Sequence, residues 1–133
     1  MIKVFKFGGA SVKDAEGVRN LLKVLEVTGT AEKLIVISAM GKTTNALEFV
    51  VQEYLQNSRV SNTLEQVKTY HLEIMQELFP DTRAQVFTKI HRLFTELENF
   101  LEHNKSLQYD FVYDQVVSFG ELISTTIVSE YLN

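Results

Sequence analysis

"KLIVISAMGKTTN", residues 33–45, holds the reading that decides the fold. Its first part is a continuous apolar run of strand length, and the rest is a short glycine-containing turn leading into helix-forming sequence. The triplet Gly41-Lys42-Thr43 looks like the end of a Walker loop, which requires G-x-x-x-x-G-K-[ST]. Counting back five from Gly41 reaches Val36, inside the strand, so the first glycine of that motif is missing. What is left is a connection from the carboxyl end of a strand to a helix that begins near Thr43 to Asn45. Helix amino ends carry unpaired N–H groups and a positive partial charge, so the position suits an anion. A plain strand-to-helix connection, closed by a capping box of Asn45 and Glu48, accounts for the same residues.

Toward the amino terminus, "IKVFKF" (2–7) mixes β-branched and aromatic residues and ends at Gly8-Gly9, which predicts another strand. Between the two strands, "DAEGVRNLLKVLEV" sets Val18, Leu21, Leu22 and Leu25 at helical spacing, with Asp14 or Ser11 as cap and Gly29 as stop. The unit is βαβ, so the strands should be parallel. In the first strand Lys6 shares side-chain parity with Ile2 and Val4, so its ammonium is expected on a buried face. An unpaired buried charge costs several kcal/mol, which would call for an anion beside it. Gly8 and Gly9 leave the backbone amides approachable at the strand's carboxyl end, where open α/β sheets bind ligands. The alternative is a lysine that snorkels outward at a strand end, with glycines that only make the turn.

After residue 43 the pattern is helical. Leu47, Val50, Val51, Tyr54 and Leu55 form one apolar face, and Leu64, Val67, His71, Ile74, Met75 and Leu78 form a second. Val86, Phe87, Ile90, Leu93, Phe94, Leu97, Phe100 and Leu101 form a third, with breaks expected at "NSRVSN" (57–62) and at Pro80. The stretch from Gln108 reads as a short helix, a turn at Ser118 to Gly120, and a final helix from residue 120. His71 lies on an apolar face and reads as a packed histidine rather than a proton carrier. Ser118 to Glu121 fits the S-x-x-E capping box, which leaves Glu121 either a helix cap or a ligand-binding carboxylate.

The bulk properties narrow the function classes. The chain has 133 residues, 45% of them hydrophobic, and a formal charge of −4, the composition of one ordinary soluble domain. Mild acidity argues against nucleic acid or an anionic membrane as partner. No stretch is apolar for the roughly 18 residues a membrane span needs, and the start "MIKVFKFGG" is unlike a signal peptide, so a cytoplasmic location is the expectation. With no cysteine and three scattered histidines (His71, His91, His103), no metal site is expected. Two parallel strands are too few to be stable alone, so the 133 residues should be the front part of a larger α/β domain.

Three stretches taken together carry a family resemblance: "VFKFGGASV", "VISAMGKTTNAL" and "VVSFGELIST" resemble, in order and spacing, the aspartokinases of the amino-acid kinase superfamily. The resemblance covers the whole chain but only the amino-terminal part of a family catalytic domain. It implies a three-layer α/β/α sandwich with a mainly parallel sheet, represented here by two parallel strands and a helical insertion. It further implies transfer of the ATP γ-phosphoryl group to the side-chain carboxylate of L-aspartate, with Mg2+ accompanying ATP. This is the first step toward lysine, threonine and methionine. In that reading Lys6 is catalytic and neutralises phosphate charge. Phe7, Gly8 and Gly9 form the first phosphate loop, Ser38 and Gly41 line the second, and Thr44 and Glu121 hold aspartate, Glu121 through the α-ammonium group. The full-length protein would be a homo-oligomer with further domains. Ala10 departs from the family's usual threonine, which touches one contact and leaves the lysine and glycines in place. Sibling kinases acting on glutamate, N-acetylglutamate, carbamate or UMP, and a non-catalytic helical interaction domain, are the competing readings.

Overall fold

The structure, a computed structural model, describes residues 1–29, 31–57 and 62–133. Two short strands, β1 (Lys3–Phe7) and β2 (Lys33–Ile37), pair in parallel in the register Lys3 to Lys33 and Phe7 to Ile37. Between them lie a 3-10 turn (Gly9–Val12) and helix α1 (Ala15–Val27). Asp14 caps α1 by accepting a 2.8 Å hydrogen bond from the Gly17 amide. Gly29 follows the helix with a φ of 89°, a stop in the left-handed region where glycine is least penalised.

Four long helices follow: α2 (Thr43–Asn57), α3 (Asn62–Leu78), α4 (Gln85–His103) and α5 (Tyr109–Leu132). Each apolar stripe read from the sequence turns inward. All six α3 positions, Leu64 to Leu78, are buried, as are Val86, Ile90, Phe94, Leu97 and Leu101 of α4. Each fully buried aliphatic or aromatic side chain contributes about 1.5–3 kcal/mol relative to exposure, so this stripe, not helix propensity, holds α4 in place. The break expected at 57–62 falls largely on residues 58–61, which lie outside the described residues. The Pro80 break separates α3 from α4 as expected.

Two expectations are corrected. The stretch from Tyr109 to Leu132 is one continuous helix, without a turn at Ser118 to Gly120. Gly120 reads as a turn residue in sequence, but here it is buried in the helix interior, and the Ser118 hydroxyl donates back to the Gln115 carbonyl at 3.3 Å. A capping box from Ser118 to Glu121 therefore has no helix start to close. The second correction concerns the sheet. Phe5, Phe7, Ile35 and Ile37 pack against the helical core, whereas Ile2, Val4, Leu34 and Val36 are 44–65% exposed. Lys6 lies on that bare face and is itself exposed, so it carries no burial penalty. The parity was right; the face it selects is the uncovered one, because every core residue collects on the other side.

Candidate functional site

The sheet's hydrogen-bond ladder does not end with its strands. The Ser38 amide donates to the Phe7 carbonyl at 2.9 Å, and the Gly41 amide donates to the Gly9 carbonyl at 3.0 Å. Loop 1 (residues 8–14) and loop 2 (residues 38–42) thus run side by side, backbone against backbone. A Cβ at Gly9 would sit 2.7 Å from the Gly41 carbonyl oxygen and 2.9 Å from that of Ala39, which explains why glycine occupies this position. Gly41 has a φ of 54°. A Cβ there would also overlap the hydroxyl of Tyr70 on α3. Gly8 differs from both: among the described residues nothing lies within 4 Å of where its Cβ would be.

Helix α5 closes the other side of loop 2. The missing side chain of Gly120 lets the helix approach until a Cβ there would be 3.1 Å from Ala39 Cβ and 3.4 Å from Thr43 Cγ2. One turn on, the buried Ser124 hydroxyl donates to the Ser38 carbonyl at 2.7 Å. Loop 2 is held from below as well. Thr43, the buried first residue of α2, donates its hydroxyl to the Met40 carbonyl at 2.6 Å. His71 Nε2 lies 3.5 Å from the Thr43 hydroxyl oxygen. The His71 Nδ1 is 2.7 Å from the Val67 carbonyl, which assigns the ring proton to that nitrogen. Burial pushes the His71 pKa below the ordinary histidine value, partly offset by its bond to Val67. The histidine is therefore a neutral packing group, wedged edge-on against Tyr70 and Phe94.

The residues expected from sequence divide into two groups. Gly9, Ser38 and Gly41 are brought together and engaged in packing or hydrogen bonds, and the Phe7 side chain belongs to the core while its carbonyl joins the ladder. Lys6, Gly8 and Glu121 are exposed, and Thr44 is half-buried in the first turn of α2. Among the described residues, no hydrogen bond or ion pair links Lys6, Thr44 and Glu121 to one another. Glu48, read as half of a capping box, instead accepts a 2.8 Å hydrogen bond from Tyr113 of α5. The sequence names Thr43 only as the start of a helix and does not single out Ser124 or Tyr70. Ser124 has a signal, since it stands four residues after Gly120 and so on the same helical face. Tyr70 has none. A cavity of about 190 Å3 lies behind loop 2, between Lys42 and Thr43 and the α3 residues Gln66 and Tyr70. Neither Lys6, Gly8 nor Glu121 lines it, so the candidate site is the open surface at the strand ends, not this hole.

Two glycine loops fused at the carboxyl ends of neighbouring parallel strands, with a helix pressed onto the second, define an α/β domain of a known kind. The model of the amino acid kinase family matches residues 1–133, and the chain belongs to that family. Within it, the chain is similar to aspartokinase 2, chloroplastic, of Arabidopsis thaliana, 33% identical over 136 residues. The match takes in 98% of this chain and 24% of that protein. Bifunctional aspartokinase/homoserine dehydrogenase 2 of Escherichia coli is 27% identical, with 98% of this chain and 16% of that protein covered. A crystal structure of E. coli aspartokinase III in complex with aspartate and ADP superposes with a TM-score of 0.77 at 26% identity, covering 99% of this chain and 29% of that one. The chain thus spans about a quarter or less of the curated relatives named, and its strands and helices have the architecture of the amino-terminal part of the amino-acid-kinase α/β fold. No helix among the described residues is long and apolar enough to cross a membrane.

Proposed function

We propose that the chain is the amino-terminal portion of an aspartokinase catalytic domain, in which ATP phosphorylates the side-chain carboxylate of L-aspartate to give aspartyl phosphate and ADP. The observation that carries the reading is the convergence on loop 2. The K-F-G-G loop reaches it through the Gly9–Gly41 hydrogen bond, and the S-F-G-E helix reaches it through Gly120 and Ser124. Three motifs far apart in sequence form one end of the molecule, while Lys6, Gly8, Thr44 and Glu121 keep exposed or half-exposed surface for ligands.

The chemistry asks little more of these residues. An aspartate carboxylate, with a solution pKa of about 3.9, is already ionised at neutral pH, so attack on the γ-phosphorus needs no general base. The difficulty lies in aligning two anions and stabilising the charge that moves between them. In this reading the Lys6 ammonium neutralises charge on the transferring phosphoryl group. The loop of Phe7, Gly8 and Gly9 offers backbone amides to phosphate oxygens, with the open space at Gly8 admitting them, and Ser38 and Gly41 shape the second wall. Thr44 hydrogen-bonds the aspartate, and the exposed Glu121 carboxylate receives its α-ammonium group. Among the described residues no group of three or more His, Cys, Asp or Glu side chains could hold a metal ion; Mg2+ enters this reading as the companion of ATP.

The bare aliphatic patch of Ile2, Val4, Leu34 and Val36 supports an incomplete domain in this reading, with later parts of the polypeptide covering that patch, leaving Lys6 at the carboxyl end of β1 open to ligand, and supplying the adenine and ribose contacts. The test is acceptor-dependent release of ADP from ATP by the full-length protein, offered aspartate, glutamate, N-acetylglutamate, carbamate and UMP in parallel assays. Aspartate should be turned over at least tenfold faster than the others, and residues 1–133 alone should show no turnover. Preference for another acceptor would transfer the assignment to a sibling kinase.

A further inference from the structure

Helix α3 belongs to the long helical stretch between the second and third motifs, and nothing in the proposed chemistry uses it. Yet its Tyr70 and His71 touch loop 1, loop 2 and the start of α2. Tyr70 reaches across to loop 1, where its hydroxyl donates to the Lys13 carbonyl, the last residue before the cap of α1. The same hydroxyl sits against Gly41 of loop 2 so closely that a Cβ there would overlap it. Burial, then the nearby Asp14 carboxylate, raise the Tyr70 pKa, so the phenol stays a protonated donor. The next residue, His71, faces inward and abuts Thr43, where α2 begins. Farther along α3, the Glu77 carbonyl accepts a 3.0 Å hydrogen bond from Arg19 of α1. One helix therefore ties the element after loop 1 to the element after loop 2, on the side opposite α5.

Among the described residues, the backbone bonds that hold the loops together are Ser38 to Phe7 at the strand ends and Gly41 to Gly9 just beyond. Both lie at the start of loop 1 and do not reach Lys13, where that loop enters α1. A further tie at Lys13, carried on a rigid helix, fixes the far part of loop 1 as well. We infer that Tyr70 is a positioning residue: its hydroxyl, donated to Lys13 and seated on Gly41, sets the spacing of the two glycine loops and so preorganises the amides that meet phosphate. This inference rests on the phosphate role given to the loops above; the clamp itself rests only on the geometry of Tyr70, Lys13 and Gly41.

The experiment uses the full-length protein and MgADP as probe, which requires no acceptor. Tyr70→Phe removes one oxygen and keeps the ring. Its dissociation constant for MgADP by calorimetry should rise about fivefold, the usual worth of one net hydrogen bond. Gly41→Ala supplies the second arm. In the native background its Cβ meets the Tyr70 hydroxyl; in Tyr70→Phe the nearest tyrosine atom left is Cζ, at 3.3 Å. The backbone strain at Gly41 is common to both backgrounds and cancels in a double-mutant cycle. Gly41→Ala should therefore weaken MgADP several-fold less in the Tyr70→Phe background than in the native one. An unchanged dissociation constant in Tyr70→Phe, or losses that multiply without coupling, overturns the positioning role. If Gly41→Ala does not fold, the Tyr70→Phe comparison decides alone. If the native protein binds no MgADP, the phosphate reading has failed, and thermal unfolding then decides the clamp: coupled midpoint shifts retain it and additive ones remove it.

Discussion

The site has a built side and an open side, and they obey different physics. On the built side Gly9, Ala39, Gly41, Gly120 and Ser124 meet so closely that an added methyl group would collide with backbone at Gly9, overlap the Tyr70 hydroxyl at Gly41 and crowd side chains at Gly120. On the open side Lys6, Gly8 and Glu121 face solvent. Residue types associated with phosphate chemistry occur in both, and Gly8 and Gly9 are even neighbours in sequence. One glycine is accounted for by packing within the chain, and the other by nothing within it. What the difference teaches is that a glycine-rich motif mixes two requirements, only one of which the folded chain satisfies by itself.

The largest effect that would break this division is expected at Lys6. Because its ammonium has no carboxylate partner among the described residues and is exposed, Lys6→Ala should leave the thermal midpoint of the full-length protein nearly unchanged, within about 0.5 kcal/mol of stability. Its phosphoryl-transfer rate should nevertheless fall on the order of 100- to 1,000-fold, the usual worth of a preorganised charge at a transition state. Steady-state kinetics beside a melting curve measure both. A variant that melts early but keeps its rate would put Lys6 on the built side.

Gly9→Ala should show the opposite signature. Its Cβ would meet two carbonyl oxygens at 2.7 and 2.9 Å, and backbone cannot rotate away as a side chain can. Either the Gly9–Gly41 hydrogen bond stretches or the loops part, at a cost of about 1–3 kcal/mol. Chemical denaturation of the variant should show that loss with an unchanged denaturant slope. A stability equal to the native protein's would mean that the loops are not in the contact described.

The built side was only partly legible in the sequence. β1, β2 and the capped α1 follow from local chemistry: β-branched and aromatic runs, Asp14 at the cap, Gly29 at the stop. The stripes of α3 and α4 follow from period alone, down to the burial of His71. The alternation in β1 places Lys6 on one face with Ile2 and Val4, and in the structure that face is exposed rather than buried. Alternation says which residues share a face and cannot say which face the rest of the molecule covers. Ser118-Phe119-Gly120 suggested a turn because glycine most often breaks helices; here a close approach between α5 and loop 2 requires it, and that distance is a tertiary fact. The Tyr70 tie is farther still from local reading, since its partner is a carbonyl 57 positions away and a carbonyl has no side-chain signature.

The smallest effect sharpens the built side through proton linkage at His71. The folded ring resists protonation because it is buried among Thr43, Tyr70 and Phe94, whereas in the unfolded chain it titrates near 6.5. Above that pH neither state binds the proton and the histidine's packing is fully effective. As pH falls below about 6.5 the unfolded chain takes up a proton that the folded one refuses, so stability declines with falling pH. His71→Phe removes the titration and keeps an aromatic ring against Phe94. Thr43 retains its bond to the Met40 carbonyl, so no buried hydroxyl is stranded. The variant should start less stable, since a larger ring strains a packed site. From pH 7.5 to 5.5, however, its melting midpoint should fall less than the native protein's. The exposed His91 and His103 are common to both proteins and drop out of the comparison. Parallel declines would show that the ring beneath loop 2 takes up its proton without cost, and that the floor of the site is wetter than its packing indicates.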